Sequence, residues 1–141
     1  MIPTGQTCLG TFGNPRTQLG GNCLLRGDAS GNQVQNTPER TYSLGGTYDI
    51  NTASGTFTLA AAYYYNGGFV ATADERVAQP SYQTVDASVV WRQSDKGLSV
   101  RVWGKNLTDE AYRTQLGASN SGDNGTYAPP RTYGVTLGYD W

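Results

Sequence analysis

The chain contains no histidine. That absence removes the commonest general base and the commonest metal ligand among the side chains. Charge is also scarce: Asp, Glu, Lys and Arg make up 15% of the residues, against about 25% in a typical soluble domain. The net charge is −1, so there is no broad basic surface and nucleic acid is not an expected partner. No apolar run approaches the roughly 18 residues that a membrane-spanning helix requires. Met1-Ile2-Pro3-Thr4-Gly5 has neither the basic nor the apolar region of a signal peptide. Strong helix formers such as Leu, Glu and Lys are few.

What the chain does have is Gly, at 19 residues, and Tyr, at 10, set among Thr, Ser, Asn and Gln. This is the composition of a strand protein with long loops. Residues 1–38 carry no sustained periodicity and read as a loop segment; residues 39–141 read as strands. From Arg40 onward the pattern has period two. Tyr42, Leu44, Gly46, Tyr48 and Ile50 alternate with Thr41, Ser43, Gly45, Thr47 and Asp49. The same alternation places Phe57, Leu59, Ala61, Tyr63 and Tyr65 on one face, then Val85, Ala87, Val89 and Trp91, then Tyr133, Val135, Leu137, Tyr139 and Trp141. Such alternation marks strands with one dry and one wet face. In 98–106 the dry face is Leu98, Val100 and Val102, and Trp103 falls on the polar side, as a bulge or a packed interior aromatic would require. The expected strands are 41–50, 56–65, 82–93, 98–107 and 131–141, in one antiparallel meander.

The connections alternate in length. Residues 51–55 and 94–97 are short turns, whereas 66–81 and 108–130 are long Gly- and Asn-rich loops. Short turns at one end and long loops at the other are the habit of outer-membrane barrels, with periplasmic turns short and extracellular loops long. Strand lengths near ten residues suit a tilted crossing of a bilayer. Aromatics at the ends of the dry faces, among them Trp91, Tyr139 and Trp141, suit membrane-interface anchors. The pattern therefore favours part of a transmembrane β-barrel over a soluble β-sandwich.

Cys8 and Cys23 enclose a loop of 14 residues. They read as a disulfide pinning an extracellular loop, contributing about 3 kcal/mol by the chain-entropy account; the alternative is two free thiols. No nucleophile–base arrangement is visible, and the Asp109-Glu110 pair reads as a solvated turn rather than as acid–base machinery. The chain is not expected to be an enzyme, and it calls for no cofactor or metal.

Three motifs carry a family resemblance. The stretch Asn106-Leu107-Thr108-Asp109-Glu110-Ala111-Tyr112 resembles a signature near the end of TonB-dependent receptors. The stretch from Tyr127 to Trp141, with Pro129-Pro130-Arg131 leading into it, resembles the last strand of that family. Asn36-Thr37-Pro38-Glu39 is similar to the family's approach to an earlier strand. The resemblance implies the C-terminal portion of an outer-membrane receptor-transporter whose whole barrel has about 22 strands. It implies import of a scarce ligand such as a siderophore, driven by the TonB complex through N-terminal parts that this sequence does not contain. Outer-membrane lipid and the barrel assembly machinery follow as partners, and the ligand itself is left open. Two other classes compete: a small outer-membrane structural protein that closes by oligomerising, and a soluble β-sheet domain that binds glycans.

Overall fold

A computed structural model of the chain describes residues 28–94, 97–119 and 121–140. Among them are nine strands and no helix: β1 (Thr41–Thr52), β2 (Gly55–Asn66), β3 (Phe69–Val70), β4 (Ala78–Gln79), β5 (Tyr82–Arg92), β6 (Leu98–Lys105), β7 (Arg113–Ser119), β8 (Gly122–Tyr127) and β9 (Thr132–Tyr139). Five of them form one antiparallel sheet in the order β1-β2-β5-β6-β9. These are the five expected strands, each within two residues of its expected bounds at either end, except that Trp141 lies outside the described residues. The sheet is open, with β1 and β9 as its edges. The other four strands make two small hairpins, β3-β4 and β7-β8. Both lie inside stretches expected to be loop throughout.

The register sorts the side chains by face. One row runs Tyr48, Leu59, Val89, Val102, Val135, and the next runs Ile50, Phe57, Trp91, Val100, Leu137. Interleaved rows on the opposite face run Thr47, Ala60, Ser88, Trp103, Gly134 and Asp49, Thr58, Val90, Arg101, Thr136. The pairing of β6 runs unbroken through Trp103 on both sides. No bulge turns it; it is an aromatic on the polar face.

Of the exposed large hydrophobic residues among those described, all lie on the apolar face except Val34, Leu107 and Tyr127. Leu44, Leu137 and Tyr133 are 75%, 72% and 80% exposed. Among the described residues the only buried hydrophobic ones are Val70 and Val77, both outside this sheet. Water would make such a sheet costly, because apolar area is stabilising only when it is removed from solvent. Aromatic pairs stand at both ends of the apolar face. Tyr42 stacks on Tyr65 at 5.7 Å at one end, and Phe57 meets Trp91 at 6.4 Å toward the other. Twelve residues in β1 at about 3.4 Å each, tilted by roughly 40°, cross about 30 Å.

The short turns need glycine. Gly55 has φ +142°, and a Cβ there would lie 2.1 Å from the Arg92 carbonyl oxygen. Gly97 has φ +63°, and a Cβ there would lie 2.0 Å from the carbonyl oxygen of Asp140. Only glycine meets both conditions, left-handed backbone and close approach of a neighbouring chain.

By contacts the chain divides into two units. Of the described residues, the sheet unit holds 40–67, 81–94, 97–112 and 128–140; the loop unit holds 28–39, 68–80, 113–119 and 121–127.

Candidate functional site

The family-like stretch 106–112 closes β6 as a hydrogen-bonded knot. Asn106 is buried at 7% exposure with φ +49°, a left-handed conformation that Asn tolerates better than most residues. Its backbone N–H donates to the Asp86 carboxylate at 2.8 Å. Its carboxamide nitrogen donates to the carbonyls of Glu110, at 2.9 Å, and Pro129, at 3.4 Å. Its carboxamide oxygen accepts from the Glu110 N–H at 3.1 Å and the Thr108 hydroxyl at 3.3 Å. Every donor and acceptor of this side chain is thus in use, as a buried amide requires.

The neighbours extend the knot. Leu107 N–H donates to the Val85 carbonyl at 2.8 Å, and the Thr108 hydroxyl to the Gln83 carbonyl at 3.1 Å. Asp109, at φ +56°, accepts the Arg131 N–H at 3.0 Å, with the guanidinium at 3.6 Å. Both side chains of that pair are about half exposed, so it contributes little as an ion pair. Its role is geometric, tying the segment after β6 to the segment before β9. Tyr112 stacks on Tyr82 with centroids 4.1 Å apart and planes within 6°. Tyr82 in turn meets Tyr64 at 6.1 Å. This three-tyrosine ladder escaped the sequence reading, because Tyr112 lies outside any alternating run.

The polar face holds a shallow open groove of about 480 Å³ floored by small residues, among them Gly45, Ala60, Ala62 and Ser88, with Arg101 and Trp103 alongside.

The loop unit is held by polar contacts. Asn32 donates its amide to the Ala73 carbonyl at 2.7 Å, and Gln33 N–H donates to the Glu75 carboxylate at 2.7 Å. Arg76 grips Asp123 through both terminal nitrogens, and Asp74 stands 3.6 Å from its Nε. That Asp123 bond, first, and these two carboxylate charges hold the Arg76 guanidinium above its ordinary value. A hydrogen bond from Thr72, above all, holds the Asp74 carboxyl below the usual carboxylate range. Hydrogen bonds from Ser30 do the same at Asp28. Gln79, 4% exposed, accepts the Arg113 N–H at 2.9 Å, and the Arg113 guanidinium lies 5.9 Å from the Tyr127 ring centre. A second open depression, of about 480 Å³, is lined by Asn36, Phe69, Thr114, Gln115, Leu116 and Asn124.

Trp91 and Tyr139 both sit on the apolar face, toward the end that carries the short turns. Cys8, Cys23 and Trp141 fall outside the described residues.

Against known proteins, the sequence matches the family "TonB dependent receptor-like, beta-barrel" over residues 11–107. The structure is similar to the ferric yersiniabactin uptake receptor FyuA of Yersinia pestis, with TM-score 0.71 and 25% identity over 80% of this chain. It is also similar to BauA, the ferric preacinetobactin receptor of Acinetobacter baumannii, with TM-score 0.64 and 25% identity over 74% of this chain. The chain spans only 18% and 15% of those two proteins. No curated protein matches the sequence. The family is one of outer-membrane receptors that work with TonB and take ligands such as siderophores; it is not a family of enzymes. On the match over most of its length and the likeness of its open antiparallel sheet, this chain belongs to the TonB-dependent receptor β-barrel family.

Proposed function

We propose that the chain supplies C-terminal barrel strands and outer loops of a bacterial outer-membrane receptor. The receptor imports a scarce organic ligand, such as a ferric siderophore, using energy from the inner-membrane TonB complex. The observation that carries this reading is the sorting of the sheet: large apolar side chains exposed on one face, small and polar ones on the other. The apolar face meets lipid, with Trp91, Tyr139 and Trp141 as interface anchors. The polar face lines the lumen. Neighbouring strands of the barrel cover the edges of β1 and β9, since a bilayer does not tolerate open edges.

The loop unit then lies outside the cell, where ligand first lands, and the short turns at 51–55 and 94–97 face the periplasm. The Asn106–Tyr112 knot ties the segment after β6 to the segment before β9. The barrel assembly machinery inserts the chain, and the Cys8–Cys23 pair pins an outer loop. The two similar receptors, one for ferric yersiniabactin and one for ferric preacinetobactin, support the ligand class. The test is uptake of radiolabelled ligand by cells dependent on this receptor, with and without TonB. Loss of uptake on removing TonB is expected; uptake that persists without TonB would refute the reading.

A further inference from the structure

The β7-β8 hairpin is fastened to the β3-β4 hairpin at two places of opposite character. At its base the Arg113 N–H donates to the carboxamide oxygen of the buried Gln79 at 2.9 Å. The Arg113 guanidinium reaches the Ala78 carbonyl at 3.4 Å and lies 5.9 Å from the ring centre of Tyr127, its partner across the hairpin. Toward the tip, where Asp123 pairs with Ala118, both terminal nitrogens of Arg76 hold the Asp123 carboxylate. Those two side chains are 45% and 41% exposed.

Water and salt treat the two fastenings differently. The bond at the base is neutral and partly buried, so salt does not screen it, and breaking it would strand a buried amide. The ion pair at the tip is open to solvent and loses much of its attraction as ionic strength rises. Its two-pronged geometry and the second carboxylate, Asp74 at 3.6 Å, lift it above an ordinary surface pair. That is enough to hold a light element. The hairpin is light: no described residue of either strand is buried, so little apolar burial opposes its release. Next to the base the pairing shifts register between Arg113 and Gln115, the kind of irregularity at which a ribbon bends.

We infer that the β7-β8 hairpin is a strap, hinged at Arg113 on the buried Gln79 and held down toward its tip by the Arg76–Asp123 ion pair. Breaking the pair lets the tip swing while the base stays in place. The depression with Phe69 on one side and Leu116 and Asn124 on the other lies between the two hairpins, so its width follows the strap. This holds for the loop unit itself, whatever the receptor imports.

The test is hydrogen–deuterium exchange of the intact receptor in detergent, read amide by amide. Asp123→Asn keeps the shape of the side chain and removes its charge. The hydrogen-bonded amides of 115–119 and 122–126 should then exchange about five-fold faster. The Arg113 amide at the hinge and the Leu107 amide, bonded to Val85 in the sheet, should keep their rates. Raising sodium chloride from about 0.1 M to about 1 M should have the same effect on the unaltered protein and add little to Asp123→Asn. Arg76→Asp and Asp123→Arg together, which exchange the two charges, should restore most of the protection. Unchanged exchange across the hairpin in Asp123→Asn overturns the inference. So does acceleration that extends to the Arg113 amide, because the hairpin would then come away whole rather than swing on its base. Failure of the exchanged charges to restore protection overturns it as well.

Discussion

The indole of Trp103 lies across Gly134: a Cβ on residue 134 would come within 2.7 Å of Cζ2 and 2.9 Å of Cε2. The two residues are directly paired between β6 and β9, so the glycine is what lets a large aromatic lie flat on the polar face. Gly134→Ala should destabilise the sheet by about 1–3 kcal/mol, the usual cost of overpacking. Trp103→Ala in the same chain should relieve most of that cost. Urea unfolding of the vesicle-inserted receptor measures both, and additive effects would contradict the account.

Asn106 makes a sharper prediction. Asn106→Ala removes every bond that the Asn106 side chain makes and places alanine at φ +49°. The expected loss is roughly 2–4 kcal/mol, from unsatisfied buried groups and the left-handed backbone. Asn106→Gly relieves the backbone part alone and should lie between wild type and alanine in the same unfolding assay.

The assignment of faces is tested by charge. Val102 lies in the middle of the apolar face, between Val89 and Val135. Val102→Lys should reduce stability in the bilayer by about 2–4 kcal/mol. Thr58→Lys on the opposite face, paired with Asp49, should change it little. Equal effects of the two in vesicle-folding experiments would contradict the assignment.

The loop unit carries a pH dependence whose sign is fixed. The folded-state Asp74 carboxyl titrates below the ordinary 3.8, chiefly through Thr72. Its stabilising contribution is therefore complete above that value and lost as pH falls through the still lower folded one. Hydrogen-exchange protection of amides 72–77, corrected for intrinsic rates, should stay level from about pH 7 to about pH 5 and fall only in stronger acid. A decline between those two values would exclude Asp74 as the group responsible.

Orientation is accessible from outside the cell. Ser121→Cys, at the tip of the β7-β8 hairpin, should react with a membrane-impermeant maleimide on intact cells. Ser54→Cys, in the β1-β2 turn, should react only after the outer membrane is broken. The reverse pattern would invert the proposed orientation.

The sheet was legible in the sequence because it follows one rule. Alternation at period two located β1, β2, β5, β6 and β9, and turn chemistry located Ser54-Gly55 and Gly97. The hairpins inside the long loops were not legible. The β7 sequence Arg113-Thr-Gln-Leu-Gly-Ala-Ser and the β8 sequence Gly122-Asp-Asn-Gly-Thr-Tyr do not alternate. Their pairing also carries a register shift between Arg113 and Gln115. Side-chain contacts distant in sequence, such as Arg76 with Asp123, help to hold them. The 106–112 knot was visible only as a motif. Its physical content, a saturated buried amide in a left-handed turn, depends on Asp86 and Pro129, which no local pattern connects to Asn106.

The two aromatic rows of the apolar face make a ruler. From Phe57 to Tyr65 along β2 is eight residues, about 27 Å of strand and roughly 20 Å of depth at a 40° tilt. Tyr133 and Tyr139 bracket β9 over a shorter stretch. A sheet with so short an apolar span matches a thin hydrocarbon layer and must deform a thick one, at a cost that grows with each ångström of mismatch. If the sheet spans a bilayer as proposed, the positions of a few rings would tune it to the acyl-chain length of the host membrane, and a change of lipid would reach it as a mechanical load.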